Sequence, residues 1–166
     1  LQPGVRFHPP FKIFANIIPR RIFVALVSAK GFNGSYDANP FLFKNFDVQN
    51  VRLQAGGEVF PFSEYQCDFD NDLYARAYMG LQQTLGISNT GVSNGISPAD
   101  FKSQCCIYGF DTSGYDPEFH GLQRIGDCSI SFSFSDNVPA PGLYAIIMAE
   151  SVSNLVIGAD RVAHVY

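Results

Sequence analysis

Any chemistry in this chain of 166 residues has to come from three histidines, four cysteines and a few clustered carboxylates. His8, His120 and His164 stand far apart among loops and chain ends, whereas a cupin-type metalloenzyme needs a close histidine pair with a carboxylate downstream. Cys67, Cys105, Cys106 and Cys128 follow neither a CxxC metal pattern nor a dense disulfide framework. In a strand, the adjacent Cys105 and Cys106 point to opposite faces and do not readily share an ion, so all four are expected to be small, reduced packing residues. Asp68, Asp70 and Asp72 alternate as calcium ligands do, but the loop lacks the Gly and terminal Glu of an EF-hand, and helix capping accounts for them. Asp111, Asp116 and Glu118 would work as acid and base only in a shared cleft, and are expected to be solvated loop residues. No Gly-x-Ser-x-Gly elbow, phosphate-binding glycine loop or cysteine beside a base is present. The expectation is therefore a protein with no catalytic residue, no metal ligand and no cofactor: not an enzyme.

Composition points toward contact rather than catalysis. Hydrophobic residues make up 46% of the chain, with 16 Phe and 8 Tyr, while charged residues are only 16%, against the roughly 25% usual in globular domains. A surface this poor in charge is expected to be covered in part by other subunits. The net charge of −4 and a pI near 5.2 argue against general nucleic-acid binding, which needs a concentrated basic surface. Arg20-Arg21, the lone basic pair, reads as a solvated strand start. No apolar run reaches the roughly 18 residues that span a bilayer. The chain opens on Leu rather than Met and reads as a fragment or processed product.

The elements that would position any site are strands. Leu1 to Pro19 carries Pro3, Pro9, Pro10 and Pro19 and is expected to be an arm, linker or edge segment, with one domain over 20–166. Ile22 to Val27 is β-branched and aromatic without helical spacing, which predicts a strand buried on both faces. It feeds a polar loop containing Phe32, Asn33, Gly34, Ser35, Tyr36, Asn39, Pro40 and Phe41, whose Asn33-Gly34 and Asn39-Pro40 turns should set where its aromatics pack, on the core or on a neighbouring subunit. Asn33-Gly34-Ser35 is a formal glycosylation sequon but reads as a turn. Phe46 to Leu53 switches its apolar face, which predicts a bulge near Gln49-Asn50 or a strand buried on both sides, and Ala55 to Phe62 reads as a hairpin.

Leu73, Ala77, Leu81 and Leu85 recur every four residues behind Asp70-Asn71-Asp72, predicting one amphipathic helix over about 70–86. Ile87 to Ile96 reads as an exposed loop, and Ser97-Pro98-Ala99-Asp100 predicts a short capped helical turn over about 97–103. Cys105 to Phe110 is expected to be a strand and Asp111 to Gly121 a loop. Cys128 to Phe134 alternates apolar residues with Ser, a strand with one wet or interface-facing side. Leu143 to Ala149 should be a buried strand, with Leu155 to Ile157 and Val162 to Val165 closing the domain. The fold class is all-β: an eight-stranded jelly-roll sandwich with one amphipathic helix and one helical turn in its loops.

These residues resemble a known family. Ile18 to Val27, then Phe32-Asn33-Gly34-Ser35-Tyr36 and Asn39-Pro40-Phe41-x-Phe43, is similar to the second jelly roll of the double jelly-roll major capsid proteins of Polinton (Maverick) elements and adenovirus-like viruses. The similarity continues in order through Asp68 to Tyr74, Ile96-Ser97, Ile107 to Asp111, Ala149-Glu150, Leu155 to Ile157 and Asp160 to Val162. It implies a virion capsid subunit assembled in a host cell, with self-association into trimeric capsomers of an icosahedral shell and contacts to other capsid proteins. The family carries two jelly rolls per chain and this sequence only one, so a minor capsid role stays open. So does a carbohydrate- or receptor-binding jelly roll, spike-like or lectin-like, using loops 87–96 and 111–121 with Tyr115 and Phe119 in place of the missing Trp.

Overall fold

Residues 21–28 form the strand around which one sheet is built. Strand β2 (Arg21–Ser28) pairs antiparallel on both sides, with β5 (Ile107–Asp111) and with β7 (Leu143–Glu150). Ile22, Val24, Leu26 and Val27 are buried to within 1% of full cover, as a strand flanked on both edges requires. Phe23 alone in the run stays partly exposed. The structure is a computed structural model that describes residues 1–113, 124–153, 155–157 and 163–165.

The facing sheet contains β1 (Phe7–Phe14), β3 (Val48–Ala55), β4 (Glu58–Gln66) and β6 (Cys128–Phe134), in the order β1-β6-β3-β4. The alternation read in β6 holds: Cys128, Ile130, Phe132 and Phe134 are buried, and Ser129, Ser131 and Ser133 lie half-buried on the other face. Strand β3 changes register against β6 between Val48 and Asn50, which is the bulge that its change of apolar face demands. It returns into β4 through Gly56 and Gly57, whose φ of +59° and +88° suit a tight hairpin turn. A two-stranded sheet of β8 (Leu155–Ile157) and β9 (Ala163–Val165) brings the strands among the described residues to nine, against the eight expected. The two larger antiparallel sheets share one core, with Ile22, Val24, Tyr108 and Phe110 from one and Leu53, Ile130 and Phe132 from the other. The protein is an all-β sandwich.

Several expectations are corrected. The proline-rich start forms the edge segment rather than the arm or linker also expected of it: β1 is an edge strand of the sandwich, with register breaks around Pro9-Pro10, and Phe11, Ile13 and Phe14 pack against the core. The main helix, α2 (Ala75–Thr84), is shorter than the expected 70–86. Asp68 and Leu73 exchange backbone hydrogen bonds of 2.9 and 2.8 Å, and the Asp68 carboxylate accepts from the Asn71 backbone and side chain. That closed turn takes up the residues expected to cap the helix, whose first turn begins uncapped after Tyr74. Leu73 and Leu85 are consequently exposed, while Ala77, Gly80, Leu81 and Thr84 form the buried stripe. Helix α3 (Pro98–Ser103) follows the sequence: the Ser97 hydroxyl accepts from Asp100 N–H at 3.1 Å and the Asp100 carboxylate accepts from Ser97 N–H at 3.3 Å. One short helix was not expected, α1 (Ala29–Phe32), directly after β2. Strand β7 is not the buried strand predicted; Leu143 is buried, but Tyr144 and Met148 face outward and are 41% and 65% exposed.

Helix α2 closes the side of the sandwich where β4 and β5 meet. A Cβ on Gly109 would lie 2.8 Å from the Thr84 hydroxyl and 3.0 Å from the Leu81 Cα, so the strand can carry no side chain where the helix crosses. A Cβ on Gly80 would collide with the Tyr65 hydroxyl, which itself donates to the Gly109 carbonyl at 2.6 Å in the interior. Three elements thus meet with no spare volume. Gly109→Val should destabilise the chain by about 3 kcal/mol or more through overpacking, and Tyr65→Phe by about 1–2 kcal/mol through the unpaired carbonyl, both read as shifts in urea midpoint.

His8, in β1, is 9% exposed, its ring edge-on to Phe134, and its Nε2 has no hydrogen-bond partner among the described residues. Burial, opposed by a backbone hydrogen bond at Gln2, holds its pKa below 6.5. The folded chain therefore binds a proton at His8 less readily than the unfolded chain. This contribution to stability is complete above a pH of about 6.5 and is lost as pH falls from there toward the depressed folded value. His8→Phe should reduce the drop in urea midpoint between pH 7 and about 5, and an unchanged drop would show that other groups set the acid limb.

Candidate interaction surface

The loop after β2 is shaped by a chain of short-range bonds. The Ser28 hydroxyl accepts from Gly31 N–H at 3.1 Å and starts α1, and Asn33 ends it with its N–H on the Ala29 carbonyl at 3.0 Å. Gly34 turns the backbone at φ +83°. Ser35 and Ala38 form an isolated bridge, and Lys30 reaches Asp37 across the turn at 3.4 Å. The Asn39 side chain accepts from Phe41 N–H at 2.9 Å, an Asx turn that holds Pro40 at its centre. The far end is tied down more strongly: Phe43 donates to the Gln104 carbonyl at 3.0 Å and accepts from Cys106 N–H at 2.8 Å. Both ends of the loop are therefore anchored to the sheet that contains β2 and β5.

This scaffold turns its aromatics outward. Phe32 and Phe41 are 51% and 78% exposed, and Tyr36 is fully exposed. Phe32 lies against Tyr144 of β7 with ring centroids 4.4 Å apart, which extends the patch from the loop onto the sheet. Of the two placements expected for these rings, the core is excluded. Tyr144 was missed by sequence reasoning, because the run 143–149 is apolar at every position and carries no sign of which face is open.

The residues considered for chemistry do not gather. Among the described residues no three His, Cys, Asp or Glu side chains are grouped to hold a metal ion. Asp68 and Asp70 line a shallow cleft with Asp47, Gln49, Cys67 and Ser135, but the Asp68 oxygens are engaged by Asn71, whose hydrogen bonds lower its pKa. Asp72 instead pairs with Lys102 at 2.5 Å. Asp111 accepts from the Ser113 N–H and hydroxyl. His120, Tyr115, Asp116, Glu118 and Phe119 lie outside the described residues, as does the His164 side chain. All four cysteines are free thiols; Cys67 and Cys106 are pushed up to about 12 by burial, and Cys128 is raised by the same cause. Thiols so shifted carry almost no thiolate near neutral pH. No helix among the described residues is long and apolar enough to cross a membrane.

No family model matches the chain, and no solved structure matches it. Among curated proteins it is 35% identical, over 152 residues, to the uncharacterized protein F54H12.2 of Caenorhabditis elegans. That match covers 89% of this chain and 36% of the nematode protein, so the chain spans about a third of the relative's length.

Gly34 has open space around it, so a side chain there would meet strain rather than collision. Gly34→Val should therefore cost about 1–2 kcal/mol from the positive φ alone, measured by thermal unfolding. Gly34→Asn should cost much less, because Asn tolerates this backbone region.

Proposed function

We propose that this chain is a structural capsid module, a jelly-roll domain that self-associates into trimeric capsomers of an icosahedral shell and performs no catalysis. The observation that carries the reading is the anchored loop at 32–43, which holds Phe32, Tyr36 and Phe41 exposed, with Phe32 against Tyr144. Aromatic side chains fixed before contact lose little freedom on binding, which suits them to the centre of a protein–protein interface. The same loop contains Phe32-Asn33-Gly34-Ser35-Tyr36 and Asn39-Pro40-Phe41, the residues that most resemble the double jelly-roll capsid proteins. The charge-poor composition supports broad lateral contacts in the same way.

The jelly-roll reading draws support from strand order. With strands lettered B to I along the chain, a jelly roll has one sheet in the order B-I-D-G and the other in the order C-H-E-F. If β1 takes the place of G, and β2 to β7 follow cyclically as H, I, B, C, D and E, the order β4-β3-β6-β1 is B-I-D-G and β5-β2-β7 is C-H-E.

Light scattering coupled to size exclusion tests the reading on the full gene product. The expected result is an oligomer whose population rises with concentration. The double substitution Tyr36→Ser with Phe41→Ser should shift it toward monomer while leaving the thermal midpoint within about 2 °C, since both rings stand off the core. A wild-type protein that stays monomeric at high concentration would sink the proposal.

A further inference from the structure

The outer edge of β7 carries one rung of a strand that is otherwise missing. Leu1 N–H donates to the Leu143 carbonyl at 2.7 Å, and Leu143 N–H donates back to the Leu1 carbonyl at 3.2 Å. Two residues exchanging both bonds are a hydrogen-bonded antiparallel pair. On the opposite side of β7, Ala29 N–H donates to the Gly142 carbonyl at 2.9 Å. Alternate residues of an antiparallel strand direct both backbone groups to the same neighbour. Gly142 and every second residue after it therefore serve β2, while Ala145, Ile147 and Ala149 point their N–H and C=O groups the same way as Leu143, toward an edge where the sheet order ends.

The side chains give a second, independent sign. Ala145, Ile147 and Ala149 pack against the core but remain partly exposed. The core-facing residues of β2 on the same sheet, Ile22, Val24 and Leu26, are covered to within 1%. Among the described residues, one strand's width of apolar cover is missing along β7. An exposed edge of this length with apolar flanks is a template for pairing.

We propose that main chain joined ahead of Leu1 forms a fourth strand on this sheet, antiparallel to β7 and continuous with the Leu1–Leu143 rung. The register is set by that rung: each residue upstream of Leu1 falls opposite the next residue of β7, so seven residues reach from Tyr144 to Glu150. Alternate positions of the segment are apolar, because those opposite Ala145, Ile147 and Ala149 face the core. The added strand makes both large sheets four-stranded. It occupies the place of strand F in the jelly-roll reading, but the edge geometry stands without that reading and without any capsid role.

Amide hydrogen exchange on the full gene product tests this directly. The Ala145, Ile147 and Ala149 amides should exchange at least roughly a hundredfold more slowly than unstructured peptide, as bonded strand amides do. Removing the residues ahead of Leu1 should return these three to fast exchange while the β2 amides of Val24 and Leu26 stay slow. If the truncated chain fails to fold, the rates in the intact product alone decide. Fast exchange at all three positions in the intact product overturns the proposal, as does a gene product in which nothing precedes Leu1. Protection that survives the truncation would give the edge to β8–β9, and protection that depends on protein concentration would give it to a second copy; either result also overturns it.

Discussion

The hydrogen bond from Tyr65 to the Gly109 carbonyl is the point at which the two sheets and the main helix are locked together. Tyr65 comes from β4 at the edge of one sheet, Gly109 from β5 at the edge of the other, and α2 lies over the junction with Gly80 against the phenol oxygen. A sandwich left open along this side would expose the rings of Tyr108 and Phe110, which pack with Tyr65. Two glycines make the approach possible, and one hydroxyl satisfies a strand carbonyl that the helix would otherwise bury without a partner. Burial also raises the Tyr65 pKa to about 12, so the phenol remains a donor throughout the physiological range.

With that side closed, the remaining freedom lies at the opposite end of the sheet order. Strand β2 is central because β5 and β7 flank it, and α2 covers the β5 side only. On the β7 side Phe32 lies against Tyr144, while the far end of its loop, at Phe43, is bonded beside β5. Tight packing at one edge and open aromatic surface at the other follow from a single helix lying on one side. The interaction surface is therefore a product of the fold's asymmetry as much as of the loop's own residues.

Much of this was legible in the sequence where the deciding interactions are local. The Ser alternation in β6, the face change that became the β3 bulge, the Gly-Gly hairpin and the Ser97–Asp100 capping box each depend on residues a few positions apart. The start of α2 was not legible, because the Asp68–Leu73 turn competes for the same residues and both readings satisfy local chemistry. The exposure of Tyr144 and Met148 was not legible for a different reason. It depends on β7 pairing with β2 along one side only, a contact between segments more than a hundred residues apart, and an apolar run looks the same at the centre of a sheet as at its edge. For the site, sequence identified the loop and its turns, while the direction of its aromatics waited on where the sheet ends.

The buried thiols have a consequence of a different kind. Cys67, Cys106 and Cys128 lie in the core, unpaired, and burial holds their protons in place. No bond in this domain has to be formed or broken when it passes from a reducing to an oxidising medium. Glutathione has no disulfide here to reduce, and at these three sites mild oxidants meet sulfur that is screened by side chains, leaving the half-buried Cys105 as the more accessible thiol. The shape of the domain is set by packing alone, and it should survive a change of redox milieu that would remodel a disulfide-stapled fold of the same size.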